Sequence, residues 1–263
     1  MYLIDTHIHL DNIQYQDDLD KVIDDALNSG VKAFLIPGAD PKDLPKAVEL
    51  ATKYKEIFFG VGFHPYDCES FDMKILEQYA SHPKCIAIGE CGLDYYRLPK
   101  DDIEKQENVV LQKEVFISQI KFAKKVKKPL IVHIRDASND SRTILQSYGA
   151  SEVGGVLHCF NASEHLLPLA DDGFYFGIGG VVTFKNAKNL VEILPKIPQD
   201  KLLIETDGPY LTPHPYRGTR NEPKYTNEIA LKISEILDIT KEDVVNLTTK
   251  NSKNLFKEFN TIN

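Results

Sequence analysis

No apolar run in this 263-residue chain approaches the roughly 18 residues that a membrane-spanning helix requires. Its first residues carry no basic segment leading into a long apolar stretch, so the expectation is a cytoplasmic protein with no membrane partner. Only four cysteines occur, Cys68, Cys85, Cys91 and Cys159, and no two form a C-x-x-C pair. A dense disulfide framework is thereby excluded, and reduced thiols are expected. Positive charge is scarce as well: 31 basic against 39 acidic side chains leave a formal charge of −8. That excludes a coat protein gripping nucleic acid through bulk positive charge, but not a nucleic-acid substrate, because bound cations supply positive charge locally. No internal repeat, low-complexity tract or Gly/Ser linker interrupts the chain, and residues 1–263 are expected to form one domain with no obligatory protein partner evident.

What the chain does contain is a regular alternation. Strand-like apolar runs lie near 2–7, 32–37, 57–62, 84–90, 129–134, 154–158, 174–178 and 201–206. Helical patterns fall between them, near 17–29, 41–54, 71–81, 107–127, 139–148, 163–172 and 187–195, and two more, near 224–237 and 241–258, close the chain. Such alternation points to parallel strands joined by helical crossovers. Eight units in a chain of this length favour an α/β fold of the closed (β/α)8 TIM-barrel type over an open doubly wound sheet. Boundary chemistry supports several elements: Asn28-Ser29-Gly30 offers a helix stop, Pro41 a helix start, and Thr240-x-x-Asp243 a capping box.

The chemistry-bearing residues recur at the ends of the apolar runs. His7 and His9 stand two apart at the end of the first run, so a strand would present both imidazoles on one face. Glu90 ends the fourth run, His133 the fifth, His158 the sixth and Asp207 the eighth. In a parallel barrel these ends converge on one mouth. Six donors exceed what one tetrahedral ion takes, which points to two divalent cations bridged by Glu90. One would take His7, His9, Glu90 and Asp207, the other Glu90, His133 and His158. Imidazole with carboxylate suits zinc or manganese. Two ions about 3.5–4 Å apart activate water for hydrolysis, and Asp207 is the candidate general base. This arrangement serves phosphodiesters, esters, lactones and amides alike.

Other residues take places around this centre. His64, ending the third run, is the candidate for substrate contact or proton transfer, whereas His82 and His165 are expected to be structural. Strand parity turns Arg135 and Glu205 inward, where they could pair beneath the metals. The same parity places Cys91 and Cys159 on the opposite face from their neighbours Glu90 and His158, as packed small hydrophobes. Five lysines between Lys121 and Lys128 look like a nucleic-acid patch, but a helix end entering a strand lies at the barrel bottom, where lysines favour the helix C-terminus. Arg217 and Arg220, in the long loop after the eighth run, are candidates to hold a substrate phosphate. Tyr95, Tyr96 and Arg97 offer stacking surfaces and a further cation.

Taken together, Ile4-Asp5-Thr6-His7-Ile8-His9-Leu10-Asp11, Gly62-Phe63-His64-Pro65, Ile88-Gly89-Glu90-Cys91-Gly92-Leu93-Asp94-Tyr95-Tyr96, Val132-His133-Ile134-Arg135-Asp136-Ala137, Leu157-His158-Cys159-Phe160 and Glu205-Thr206-Asp207-Gly208-Pro209-Tyr210-Leu211 resemble the TatD-type metal-dependent deoxyribonucleases, within the amidohydrolase-like barrels. The loop from Pro213 to Pro223 matches too, so the resemblance spans nearly the whole chain. It implies metal ligands at His7, His9, Glu90, His133, His158 and Asp207, with His64 near the scissile phosphate. It also implies nuclease action on DNA, of the 3'-5' exonuclease kind, assisted by magnesium or manganese. Two departures are Gly208, where Ala or Ser is expected, and Asn161-Ala162-Ser163 in place of a glycine-containing turn. The alternative is an ester or amide hydrolase such as a D-aminoacyl-tRNA deacylase or a lactonase. Glu90 stands where hydrolases bridged by a carboxylated lysine would carry Lys.

Overall fold

The computed structural model describes residues 1–262. Eight strands form one parallel sheet in sequential order: β1 (Leu3–Asp5), β2 (Val31–Ile36), β3 (Ile57–Val61), β4 (Cys85–Asp94), β5 (Leu130–Arg135), β6 (Gly155–Leu157), β7 (Phe174–Ile178) and β8 (Leu202–Ile204). Helices α1 (Leu19–Asn28), α2 (Leu44–Lys53), α3 (Met73–Ala80), α4 (Asp102–Val126) and α5 (Ser138–Ser147) follow the first five strands. After β7 comes α6 (Lys188–Ile193), and after β8 come α7 (Thr226–Leu237) and α8 (Lys241–Leu255). The sheet curls back on itself. Thr6 donates its backbone N–H to Ile204 O at 3.1 Å, and Ile8 bridges Gly208 in parallel, joining the first segment to the last. This is the (β/α)8 barrel of the sequence expectation.

Two apolar layers hold it. Alternate strand residues Ile4, Leu35, Phe58, Ile86, Ile131, Val156, Tyr175 and Leu203 fill the interior, and the other set packs outward beneath the helices. The inner layer also contains Phe256, Phe259 and Ile262, so the end of the chain plugs the barrel floor. Phe259 meets Phe58 edge-on at 5.2 Å between ring centroids. Helix α8 ends at Leu255, short of the expected 258, where Phe256 turns to an extended conformation and the 3₁₀ segment Lys257–Thr261 carries Phe259 into the inner layer.

Other boundaries move for local reasons. The expected helix at 163–172 is a 3₁₀ segment, Glu164–Ala170, since Pro168 lacks the N–H that an α-helix needs. Pro195 likewise turns the end of α6 into a 3₁₀ turn at Leu194–Lys196. Pro41 lies ahead of α2, which instead holds Pro45 in its first turn. Helix α4 starts at Asp102, five residues earlier than its apolar periodicity, because Asp101 caps the N–H groups of Ile103 and Glu104. The capping box at Thr240 and Asp243 forms in full. At the bottom, Lys124 donates to Tyr148 O and Lys128 to Cys85 O, so the lysine run caps carbonyls there. No helix among the described residues is long and apolar enough to cross a membrane.

One buried amide couples a helix to the mouth. Gln119 of α4, fully buried, accepts from Phe63 N at 2.8 Å and donates to Phe63 O at 3.0 Å. It thereby holds the backbone one residue before His64. Gln119→Leu would leave both backbone groups buried without partners, at about 1–3 kcal/mol each. A drop of about 2–6 kcal/mol in urea-unfolding free energy is expected, at constant m value.

Candidate metal centre

The strand ends deliver their donors to one place. His7 lies 3.4 Å from Glu90 through Nε2 and Oε2, and 3.8 Å from Asp207 Oδ1. His9 Nε2 stands 3.5 Å from the same Asp207 oxygen. Glu90 Oε1 faces His133 Nδ1 at 2.9 Å, His64 Nε2 at 3.7 Å and His158 Nε2 at 3.8 Å. The His7 and His158 rings stack at 3.4 Å between centroids. All six expected ligands are therefore brought together, His7, His9, His158 and Asp207 just beyond the ends of β1, β6 and β8, and Glu90 and His133 within β4 and β5. Close packing makes this possible: a Cβ on Gly62 would sit 2.6 Å from Gly89 Cα, so only glycine lets the segment bearing His64 approach the one bearing Glu90.

The backbone here is bent into uncommon shapes. Asp136, Cys159, Ala162, Asp207 and Leu211 all have positive φ, although none is glycine. Each such residue costs on the order of 1–3 kcal/mol and persists where surrounding contacts over-determine it. Asp207 is held by its N–H to His7 O at 2.9 Å. Below it, Asp5 accepts from Thr206 N, Thr206 Oγ1 and His7 N, stapling the first strand to the last. Burial pushes the Asp5 carboxyl up to about 8.

Charge and proton positions follow from these contacts. Burial opposes charge on Glu90, but His158, His133 and His7 outweigh it and hold its carboxyl well below the usual range. Asp207 is also depressed against its burial, by His9, His158 and His7. For His158 burial again opposes charge, yet Glu205 and Glu90 prevail and lift it to about 10. His64 goes the other way: burial lowers it to about 4, so it is neutral near pH 7. Its Nδ1 accepts the Tyr66 N–H at 3.2 Å, which leaves the proton on Nε2. His64 thus presents a neutral N–H donor beside Glu90.

Two carboxylates orient two of the imidazoles. Asp94 Oδ2 lies 3.0 Å from His133 Nε2 and Glu90 Oε1 2.9 Å from its Nδ1, so the imidazole is held between two carboxylates that favour its protonated form. Tyr66 donates its hydroxyl to the same Asp94 oxygen at 2.7 Å, and these contacts hold Asp94 at about 2 despite its burial. Glu205 Oε1 lies 2.9 Å from His158 Nδ1 and accepts Cys159 N at 2.6 Å. Asp94 was missed as an orienting group. The signal was available, because Glu90 and Asp94 are four apart and share a face if the strand runs on, as β4 does. Glu205→Gln keeps the size but weakens the hold on His158, and a roughly 10–100-fold loss of metal affinity is expected by equilibrium dialysis.

Several expectations are corrected. Arg135 does not pair with Glu205: it is exposed, and its guanidinium lies 3.6 Å over the Tyr96 ring. Strand β6 ends at Leu157, so parity no longer governs Cys159, whose sulfur falls within 4.8 Å of donor atoms of His158 and Asp207. Arg220 is committed to the loop. It grips Asp18 with both terminal nitrogens, at 2.8 and 2.7 Å, and also reaches Glu222 and Gln14 O. Arg217 donates to Thr212 O and covers the Phe184 ring. The Arg220 guanidinium is thus neutralised by two carboxylates, whereas Arg217 is exposed and makes no ion pair among the described residues. Gly208 has a local reason, since a Cβ there would meet the Tyr15 hydroxyl at 2.6 Å.

The donor set fits divalent metal ions. Both ring nitrogens of the fully buried His7 lack hydrogen-bond partners, an arrangement that costs free energy unless an ion uses one of them. His7, His9 and Asp207 place donor atoms within 4.8 Å of one another, as do His64, Glu90 and His133.

The family profile "TatD related DNase" matches residues 4–257. An uncharacterized metal-dependent hydrolase of Bacillus subtilis, YabD, is 43% identical over 97% of this chain and 99% of its own length. A protein of Escherichia fergusonii named 3'-5' ssDNA/RNA exonuclease TatD is 33% identical over 97% of this chain and 98% of its own. Among solved structures, the TatD homolog YJJV of Escherichia coli K12 superposes with a TM-score of 0.87 at 26% identity, covering 97% of this chain and 98% of that one.

Proposed function

The chain belongs to the TatD family of metal-dependent hydrolases, and from that premise we propose that it is a deoxyribonuclease that hydrolyses phosphodiester bonds of DNA, in the manner of a 3'-5' exonuclease. Two divalent cations, zinc, manganese or magnesium, would be held by His7, His9, Glu90 and Asp207 on one side and by Glu90, His133 and His158 on the other. When bound, such cations supply positive charge to the phosphate and acidify water. The protein groups do the rest. Asp207, deprotonated at neutral pH, accepts the proton of the attacking water at its carboxylate. His64 donates its Nε2–H to a phosphate oxygen, and Asp94 and Glu205 keep His133 and His158 turned toward the centre.

The observation that carries the phosphodiester reading is Arg135. This exposed guanidinium makes no ion pair among the described residues and lines the same cleft as His133, His158 and Asp207. A permanent cation with free donors beside the centre suits an anionic substrate better than a neutral lactone. The relative named as an ssDNA/RNA exonuclease points the same way. The test is direct. Protein stripped and reloaded with zinc, manganese or magnesium is assayed on single-stranded DNA, RNA, D-aminoacyl-tRNA and a lactone panel. Release of nucleotides from DNA supports the proposal; turnover of only the esters or lactones overturns it.

A further inference from the structure

A cleft of about 520 Å³ runs sideways from the metal centre, between the loops after β6 and β7 and the start of α6. Its inner end is His133, His158 and Asp207, and Arg135 stands on one side. Val181, Ala187, Leu190 and Leu211 contribute apolar surface to its lining. Three asparagines line it too. Asn161 is spent on the fold, since its amide donates to Ser138 and Ile134 O and accepts from Ser163 N. Asn186 and Asn189 are exposed and make no side-chain hydrogen bond among the described residues.

We infer that this cleft seats one nucleoside of the substrate, its base against the apolar lining residues and its edge read by Asn186 and Asn189. This rests on the phosphodiester reading of the centre and adds a binding site to it. A carboxamide carries a donor and an acceptor side by side, the complement of a nucleobase edge. The apolar lining residues supply the surface a flat base needs, and the volume suits a single small-molecule moiety. The lining also discriminates against the ester alternative. Asp207 is the one acidic residue in it and belongs to the metal centre, so an aminoacyl group would find no separate partner for its ammonium. Arg135, two residues beyond His133 on β5 and in the lining of the same cleft, is available to the phosphate joining that nucleoside to the rest of the strand.

The manganese-loaded protein and its Asn186→Leu/Asn189→Leu variant are compared on two chromogenic diesters. One is bis-p-nitrophenyl phosphate, which has no nucleoside; the other is the p-nitrophenyl ester of thymidine 5'-monophosphate. The wild type should favour the nucleotide ester in kcat/KM, and the double variant should lose roughly 10-fold of that preference through KM, as expected for two lost hydrogen bonds. Calorimetric titration with thymidine 5'-monophosphate should show the same weakening without turnover. An unchanged preference in the variant overturns the nucleoside site while leaving phosphodiester hydrolysis standing. A wild type that cleaves neither diester yet turns over esters overturns the phosphodiester reading, and the inference with it.

Discussion

Glu90→Ala is expected to abolish hydrolysis and to strip the protein of metal. The Glu90 carboxylate lies within 3.8 Å of four imidazoles, those of His7, His64, His133 and His158, and no other acid touches all of them. Removing it withdraws an anionic donor from both proposed ion positions at once. Loss of a residue that merely orients a ligand costs roughly 10–100-fold in metal affinity or activity. The loss here should exceed that, to the floor of detection at micromolar metal. Elemental analysis after gel filtration, set beside turnover, checks it. Two equivalents of metal retained together with activity would sink the bridging assignment. Circular dichroism separates this outcome from misfolding, because the barrel core lies in layers that Glu90 does not enter.

Asp207→Asn is expected to have the second-largest effect, through proton transfer as well as binding. The native carboxyl is depressed by His9, His158 and His7 against the opposing effect of burial, so above its ordinary pKa it is fully deprotonated and able to accept a proton. An amide of the same shape cannot. General-base loss costs about 10²–10⁴-fold, and it should appear in kcat with a smaller change in KM. Glu90 and its imidazole neighbours remain, so the His133/His158 position should still take up one equivalent of metal. A variant that keeps wild-type kcat across neutral pH would show that the base lies elsewhere.

These two residues illustrate how much was readable in advance. His7, His9, Glu90, His133, His158 and Asp207 each end an apolar run, and a parallel barrel brings strand ends to one mouth whatever its side-chain details. Asp94 and Arg220 show where that logic stops. Asp94 was hidden because the apolar run ends at Glu90, whereas β4 continues to Asp94 through pairing with β5, Gly92 against His133 and Asp94 against Arg135. Arg220 looked like a phosphate clamp because its partner Asp18 lies 202 residues away in the chain. Sequence neighbours cannot reveal an ion pair made across that separation.

Periodicity and residue type along the chain determined the order of strands and helices, the barrel and which imidazoles and carboxylates gather at its mouth, because these depend on local burial patterns and on a general topological rule. Tertiary structure alone decided the tautomer of His64, the setting of His133 between Glu90 and Asp94, the commitment of Arg220, the exposure of Arg135 and the placement of Cys159 beside Asp207. Each depends on contacts or backbone turns beyond the strand ends, where side-chain alternation no longer holds and where distant segments supply the partners.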